Sequence, residues 1–421
     1  MSVNGYTIFE PLLSTEDSMD FLSEPGITTI SFFNAGNHEM SVQKFKKKVK
    51  TILVLNPWLV GKLVRRDKKL GLVIPTTITN DHLENLLCTK VGSLSTLSST
   101  TPYTTLCKAL KKTKVFVQTG YKLIGSSNLV SKFSLLQVAN GQMAMVVSIS
   151  HTVADGYTYY KIMNMLSSED LEVLNSIRKH EFVSKSVNAI GKNEQKMLSS
   201  AGMMWNAIGG ILCGPTVLAT ARYIDNDKIK VAKTQASARA QVSDEFVSTN
   251  DIITSSFGVA TNSRIMMMAI NFRGRLDNIH GNDAGNYESV IPYDTVGYET
   301  PEAIRSSLHG APFARKGNGK LPGFWELSQA RLSIITNWAF PAFKADLHLC
   351  DKDGEATIPL HLHIPVMDMD QVPFPYAVVF KPSFEKLAVL YIGNQRKLSL
   401  EKLIASGAPL GENINALMFE E

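Results

Sequence analysis

Residues Gln142–Ile149 form a short apolar, β-branched run, and the chain leaves it through Ser150-His151-Thr152-Val153-Ala154-Asp155-Gly156. Such a run reads as a buried strand. Beyond it, Tyr160, Met163 and Leu166, with Ile162 and Met165 alongside, recur at helical spacing. Asp155 sits where an N-cap belongs, because its carboxylate can accept the free N–H groups of a first helical turn. The sequence therefore puts His151 on a loop between a buried strand and a capped helix. A loop of that kind holds an imidazole rigidly and leaves one ring nitrogen open. At neutral pH, histidine is the side chain best suited to taking a proton from a hydroxyl or an amine. A histidine near a strand end is also a common structural residue, so the loop needs support from elsewhere in the chain.

The 421 residues suggest two or three domains, and 44% apolar against 19% charged residues fits an ordered globular protein. A formal charge of +5 suits an anionic small molecule. It is too mild for nucleic acid, and no basic array interleaved with aromatic residues is present. Cys88, Cys107, Cys213 and Cys350 are scattered without metal-ligand spacing. They read as free thiols in a reducing compartment, with neither a zinc site nor a disulfide framework. Residues Met1–Asp20 carry Glu10, Glu16 and Asp17 and lack a basic-then-apolar leader pattern, which points to a cytoplasmic protein.

In chain order, Ile27–Phe33 is strand-like, and Ser41–Leu55 reads as a helix whose stripe is Val42, Phe45, Val49 and Leu53. Lys46, Lys47, Lys48 and Lys50 fall mostly on its wet face. Asn56-Pro57 ends the helix, since proline disfavours a helical residue before it. A hairpin through Lys68–Ile74 follows, and the Ser/Thr-rich Ser93–Thr105 reads as loop. His361 and His363 alternate along a strand at Ile358–Ile364, with no clear third metal ligand.

Several short segments recur in a family-like order. Asn56-Pro57-Trp58-Leu59-Val60-Gly61-Lys62-Leu63 resembles a "P-x-x-x-G-[RK]-L" turn, and His151…Asp155-Gly156 lies at the expected distance after it. Val247–Ile253, Asn271-Phe272-Arg273-Gly274-Arg275-Leu276 with Gly285-Asn286-Tyr287, and Ile335-Thr336-Asn337-Trp338 follow in order. Together they resemble the BAHD acyl-CoA-dependent acyltransferases, in the chloramphenicol acetyltransferase and condensation-domain superfamily, over about residues 27 to 405. Where that family carries "DFGWG", this chain keeps only Asp346, in Asp346-Leu347-His348-Leu349-Cys350.

The resemblance implies an α/β fold of two similar mixed-sheet halves with a central channel between them. Residues 1–185 would form the half carrying the His151 motif, 186–225 a linker, and 226–421 the second half. It further implies acyl-CoA as co-substrate with no metal, a small-molecule acceptor, and a monomer. His151 would be the general base, Asp155 a structural partner of Arg273 (Arg275 being the alternative), and Gly156 a tight-turn residue beside the site. Thr336 is the candidate oxyanion donor, or else a plain strand threonine. Trp338 and Asn286 map near the substrate, Ser148 and Ser150 flank the base, and Lys228, Lys230 and Lys233 are candidate CoA phosphate contacts.

Met197–Ala221, which contains no charged residue, lies outside the family pattern. It is long enough for a bilayer, but Gly209-Gly210 and Gly214-Pro215 break it. It reads as a membrane-dipping element flanked by Lys196 and Arg222, or as a buried crossover between the halves. The function class is an O- or N-acyltransferase using acyl-CoA. A condensation-type enzyme fed by a carrier protein and a non-catalytic binding relative are the alternatives.

Overall fold

A computed structural model describes residues 7–213, 217–239, 246–309, 320–341, 343, 347, 349–354, 357–370, 372–394 and 396–419. Asp346 and His348 of the altered box lie outside the described residues.

Two mixed sheets dominate. The first has five strands in the order Leu360–Pro365, Ile27–Phe33, Met143–Ile149, Ser131–Gln137 and Leu87–Cys88. The second has seven, in the order Glu288–Tyr293, Ile265–Asn271, Leu332–Asn337, Tyr376–Phe380, Ala388–Gly393, Leu218–Ile224 and Leu410–Asn413. In the second sheet, Leu332–Asn337 runs parallel to both of its neighbours, and the other pairs are antiparallel. A small sheet of Thr7–Pro11, Lys69–Pro75 and Lys62–Arg66 sits beside them.

The apolar run at 142–149 becomes the fully buried strand Met143–Ile149, paired with Ile27–Phe33 on one side and Ser131–Gln137 on the other. Burial on both faces explains why the sequence reads as a continuous apolar run rather than an alternation. The first long helix, His38–Leu55, opens on Asn37, whose side chain accepts from the Met40 N–H at 3.1 Å. Phe45, Val49, Ile52 and Leu53 are its buried stripe, and Lys46, Lys47 and Lys50 are solvated. The hairpin between Lys62–Arg66 and Lys69–Pro75 turns through Asp67 and Lys68, both in the left-handed region at φ 49° and 66°. Two such residues give the tight turn whose twist matches the flanking strands. The Ser93–Thr105 loop is shorter than the sequence suggests, because helix Tyr103–Lys111 begins within it.

The chain crosses between the two sheets. Strand Leu360–Pro365, late in the sequence, completes the first sheet against Ile27–Phe33, while Leu218–Ile224 lies inside the second sheet. The uncharged stretch resolves into two elements: helix Ala201–Cys213, then strand Leu218–Ile224. No helix among the described residues is long and apolar enough to cross a membrane. Nor is helix Ala201–Cys213 a buried crossover, since Trp205 and Leu212 are 57% and 77% exposed.

Candidate active site

Asp155 caps helix Gly156–Ser167 as its position suggests, accepting the Thr158 N–H at 2.8 Å through Oδ1. Its other oxygen, Oδ2, accepts from Arg273 Nη1 at 2.6 Å and from the Tyr287 N–H at 3.0 Å. Arg273 spends its remaining donors on the Asp283 and Gly285 carbonyls, the Asn271 side chain and the Thr158 hydroxyl. Both side chains of the pair are buried, and every lone pair and proton near them is matched, the condition under which such a pair escapes a heavy desolvation penalty. The network clamps the His151 loop to the Arg273–Tyr287 segment. Arg275 stands apart from this pair; burial and then the nearby Arg305 charge lower its pKa.

The His151 ring is held by Asn286. The Asn286 amide nitrogen donates to the His151 carbonyl at 2.8 Å and to Glu16 Oε1 at 3.0 Å. That leaves its Oδ1 facing His151 Nδ1 at 3.2 Å. An amide oxygen can only accept, so Nδ1 carries the proton and Nε2 keeps its lone pair when the ring is neutral. Glu16 fixes the amide in turn. It is fully buried and also accepts from the Asn286 and Leu13 N–H groups and from Arg178 Nε at 2.9 Å. Phe21 packs on the imidazole with ring centroids 5.2 Å apart.

His151 Nε2 points at two carboxylates, Glu24 Oε2 at 3.4 Å and Glu288 Oε1 at 3.6 Å. Solvent still reaches 17% of the His151 side chain, 53% of Glu24 and 23% of Glu288. Protein nevertheless surrounds all three closely enough for desolvation to lead their titration. The three side chains thus stand together where solvent still reaches them. Burial alone would lower the His151 pKa, but Glu24 and then Glu288 outweigh it, and the ring titrates above its ordinary range. Burial, with Asp155 next, pushes the Glu288 carboxyl up, and burial likewise raises Glu24. Tyr376 closes the group: burial first, then the Glu24 and Glu288 charges, drive its phenol pKa upward.

The other sequence candidates are placed differently. Gly156 opens the helix outside the left-handed region; what crowds a side chain there is Trp338, whose indole would lie 3.2 Å from an added Cβ. Its role is therefore close approach of Trp338 rather than a tight turn. Ser148 is fully buried, bonded to Thr28 Oγ1 at 2.7 Å and accepting the Val117 N–H, so it ties strands together and cannot touch a substrate. Ser150 is equally buried, and its hydroxyl has no hydrogen-bond partner among the described residues. Asn286, 1% exposed, holds the His151 ring instead of facing a ligand. Thr336 sits on strand Leu332–Asn337 at 8% exposure, paired with Val378.

The three lysines share helix Asn226–Arg239. Lys228 donates to the Leu410 carbonyl, Lys230 pairs with Asp227 at 3.0 Å, and Lys233 lies over the Phe246 ring. Among the described residues none of these contacts involves the His151 group, so the structure gives no support to a phosphate site there. His363 is buried between the Ser31 hydroxyl at 2.8 Å and the Tyr160 hydroxyl at 3.0 Å, and burial drives its pKa down to about 3. Among the described residues no group of three or more His, Cys, Asp or Glu side chains could hold a metal ion.

Sequence reasoning missed Glu16, Glu24, Glu288 and Tyr376. Glu288 carried a readable signal, since it lies two positions after Asn286 on the strand that the Gly285-Asn286-Tyr287 segment feeds. Glu16 and Glu24 reach the site only through tertiary packing of the N-terminal segment.

No protein-family model matches the chain, and no curated protein matches it in sequence. Solved structures do match. Vinorine synthase superposes with a TM-score of 0.55 at 13% identity, over 98% of this chain and 95% of that one. TRI101 of F. graminearum, complexed with coenzyme A and T-2 mycotoxin, superposes with 0.56 at 12% identity, over 94% and 96%. The first condensation domain of the CDA synthetase gives 0.52 at 10% identity, over 96% and 97%. At these identities the likeness is one of fold. The fold is the chloramphenicol acetyltransferase-like architecture of two sheet-rich halves that the sequence resembles.

Proposed function

We propose that this chain, with the fold of that superfamily, transfers an acyl group from acyl-CoA to a hydroxyl or amine acceptor in a ternary complex, His151 acting as general base. The observation that carries the reading is the tautomer lock: buried Glu16 fixes Asn286, Asn286 holds the proton on Nδ1, and Nε2 is left basic on a side chain that solvent still reaches. In the proposed step, Nε2 takes the proton from the acceptor as its oxygen or nitrogen attacks the thioester carbonyl. The new bond forms, the tetrahedral adduct collapses with cleavage of the C–S bond, and the imidazolium returns the proton to the departing CoA thiolate. Thr336 is the proposed oxyanion donor.

Glu24 and Glu288 beside Nε2 favour an amine over an alcohol, because an acceptor arriving as an ammonium would meet two carboxylates, one of which takes its extra proton and leaves the neutral amine to attack with His151 as base. A carrier-protein thioester is the second donor reading, favoured by the fold likeness to a condensation domain. The reading takes the protein as a cytoplasmic monomer, which the buried free thiols Cys88, Cys107 and Cys350 support for the compartment. Peripheral membrane contact through residues 197–221 belongs to the same reading, supported by the exposed Trp205 and Leu212.

The test is thiol release from acyl-CoAs of graded length, with and without paired amines and alcohols of one carbon skeleton, in wild type and His151→Ala. Acceptor-stimulated, His151-dependent release of CoA supports transfer. Absence of release from both CoA and pantetheine thioesters leaves a non-catalytic binding protein.

A further inference from the structure

Helix Ala201–Cys213 presents an outer face that no described residue covers. Met204, Trp205, Ile208, Ile211 and Leu212 are 39%, 57%, 37%, 44% and 77% exposed. Against it packs helix Phe324–Gln329, whose Phe324 and Trp325 are 41% and 78% exposed. Scattered exposed apolar residues need no explanation, but two tryptophans and four or more large aliphatic side chains on adjoining helices form a patch that marks an interaction site.

The patch is rigidly built. Asn206 donates to the Leu327 and Ala330 carbonyls, both at 2.8 Å, which caps the second helix with the first. A side chain at Gly202 would strike the Phe324 backbone, and one at Gly210 would meet the Pro373 carbonyl at 2.0 Å. The helices thus approach their neighbours through glycine and turn their large residues outward. Asn206 is the one side-chain amide of the helix, and it is consumed internally. The outer face offers no carboxylate, ammonium or amide to fix the register of a protein partner.

Basic residues flank the patch, and one acid, Glu326, sits on its second helix. Lys196 adjoins Met197, Lys320 adjoins Leu321, and Arg331 lies between Ala330 and Leu332; all of these apolar residues belong to the cluster beneath the patch. Lys196, Lys320 and Arg331 are exposed. The nearby Glu326 is matched by Arg264 at 2.6 Å. An aromatic and aliphatic face flanked by exposed basic residues, its one acid already paired, is complementary to an anionic lipid surface, where tryptophan favours the interface and lysine and arginine meet the headgroups. Thirteen helical residues span about 20 Å, enough to lie in the interface and too short to cross it.

We propose that helices Ala201–Cys213 and Phe324–Gln329 together form a docking face for an anionic bilayer surface. The face and the His151 group share strands of the second sheet. The cluster beneath it includes Val290, Ile334 and Phe374. Val290 is two residues along the same strand face from Glu288, and Ile334 pairs with Tyr376. An apolar substrate leaving the bilayer would meet strands that also carry Glu288 and Tyr376. This extends the peripheral-contact part of the functional reading and does not depend on acyl transfer.

The test is flotation of the full chain with vesicles of phosphatidylcholine and phosphatidylserine at 70:30 (by convention of the assay, about a third anionic), with pure phosphatidylcholine vesicles, and without lipid. Wild type should float with the anionic vesicles and much less with the neutral ones. Trp205→Ser with Trp325→Ser, both at exposed positions, should lower the bound fraction by about tenfold or more. Lys196→Glu with Lys320→Glu should lower it too, while CoA release from a short, soluble acyl-CoA stays as in wild type. Two results overturn the proposal: wild type remaining wholly in the soluble fraction, or a wild-type dimer that the tryptophan variants convert to monomer, which would make a second copy the occupant. Loss of CoA release with flotation intact would count against acyl transfer alone and leave the docking face standing.

Discussion

Asn286 turns its carbonyl oxygen to His151 Nδ1 at 3.2 Å because its amide nitrogen is already committed to Glu16. A buried carboxylate at one remove therefore decides which ring nitrogen is basic. His151→Ala should lower acyl transfer by roughly 10²–10⁴-fold with little change in stability. Asn286→Leu, which keeps the volume and removes the acceptor, should reduce kcat by a smaller factor. Glu16→Gln should fall between wild type and Asn286→Leu, and single-turnover kinetics with an acyl-CoA would rank the three. A His151→Ala enzyme turning over near the wild-type rate would falsify the base assignment.

Asp155 and Arg273 should behave as one unit. Removing either leaves an uncompensated buried charge, a loss on the order of 3–5 kcal/mol of stability. In a double-mutant cycle the pair should show coupling of about 0.5–3 kcal/mol, as contacting residues do. Chemical denaturation of Asp155→Asn, Arg273→Gln and the double variant measures this. Purely additive effects would mean that the clamp on the His151 loop is held by Tyr287 and Gly285 alone.

The glutamates beside Nε2 make a pH prediction with a definite sign. A base must be neutral to act, and Glu24 and Glu288 hold the His151 pKa above its ordinary value. The acidic limb of kcat/KM should consequently lie at higher pH than for an unperturbed imidazole. Glu24→Gln removes the larger of the two raising charges, so that limb should move down in pH. A limb that stays in place, or moves up, would separate Glu24 from the titration of the base.

His363 links stability to acid. It is buried neutral, titrating near 3 when folded against an ordinary value of 6.5. Between those values the unfolded chain binds more protons, so stability rises with pH. This contribution is fully present above about 6.5 and is lost as pH falls, by about 1.4 kcal/mol per unit well below it. Denaturation midpoints of wild type and His363→Gln at pH 7, 6 and 5 should converge as pH drops.

What was legible in the sequence was local. The strand at 143–149, the Asp155 cap and the helix at 38–55 all follow from periodicity and capping chemistry, which act within a few residues. The Asp155–Arg273 pairing needed the family resemblance to be anticipated, since 118 positions separate the two residues. The failures are non-local. Ser148 and Ser150 sit beside the base in sequence, but strand alternation and loop packing bury both hydroxyls. Glu16 counted in the sequence only against a leader pattern, and packing against Arg178 and Asn286 gives it a task that no local signal shows. Nor can sequence show that a carbonyl, an aspartate and a phenyl ring lie against Lys228, Lys230 and Lys233 on helix Asn226–Arg239.

The crossing of strand Leu360–Pro365 into the first sheet has a consequence for biosynthesis. Ser31 and His363 meet across that junction although 332 positions separate them. While the ribosome is still making the second half, the outer edge of Ile27–Phe33 has no strand beside it. All seven residues of that strand are buried in the finished protein, so the nascent chain carries an unpaired edge strand, with Ile27, Ile30, Phe32 and Phe33 exposed, of the kind that recruits foreign strands. The first half cannot finish folding as soon as it is synthesised; it waits for nearly the whole chain. A nascent polypeptide of this design needs chaperone cover through most of its translation, and a premature stop before residue 360 releases a sticky fragment rather than a smaller protein.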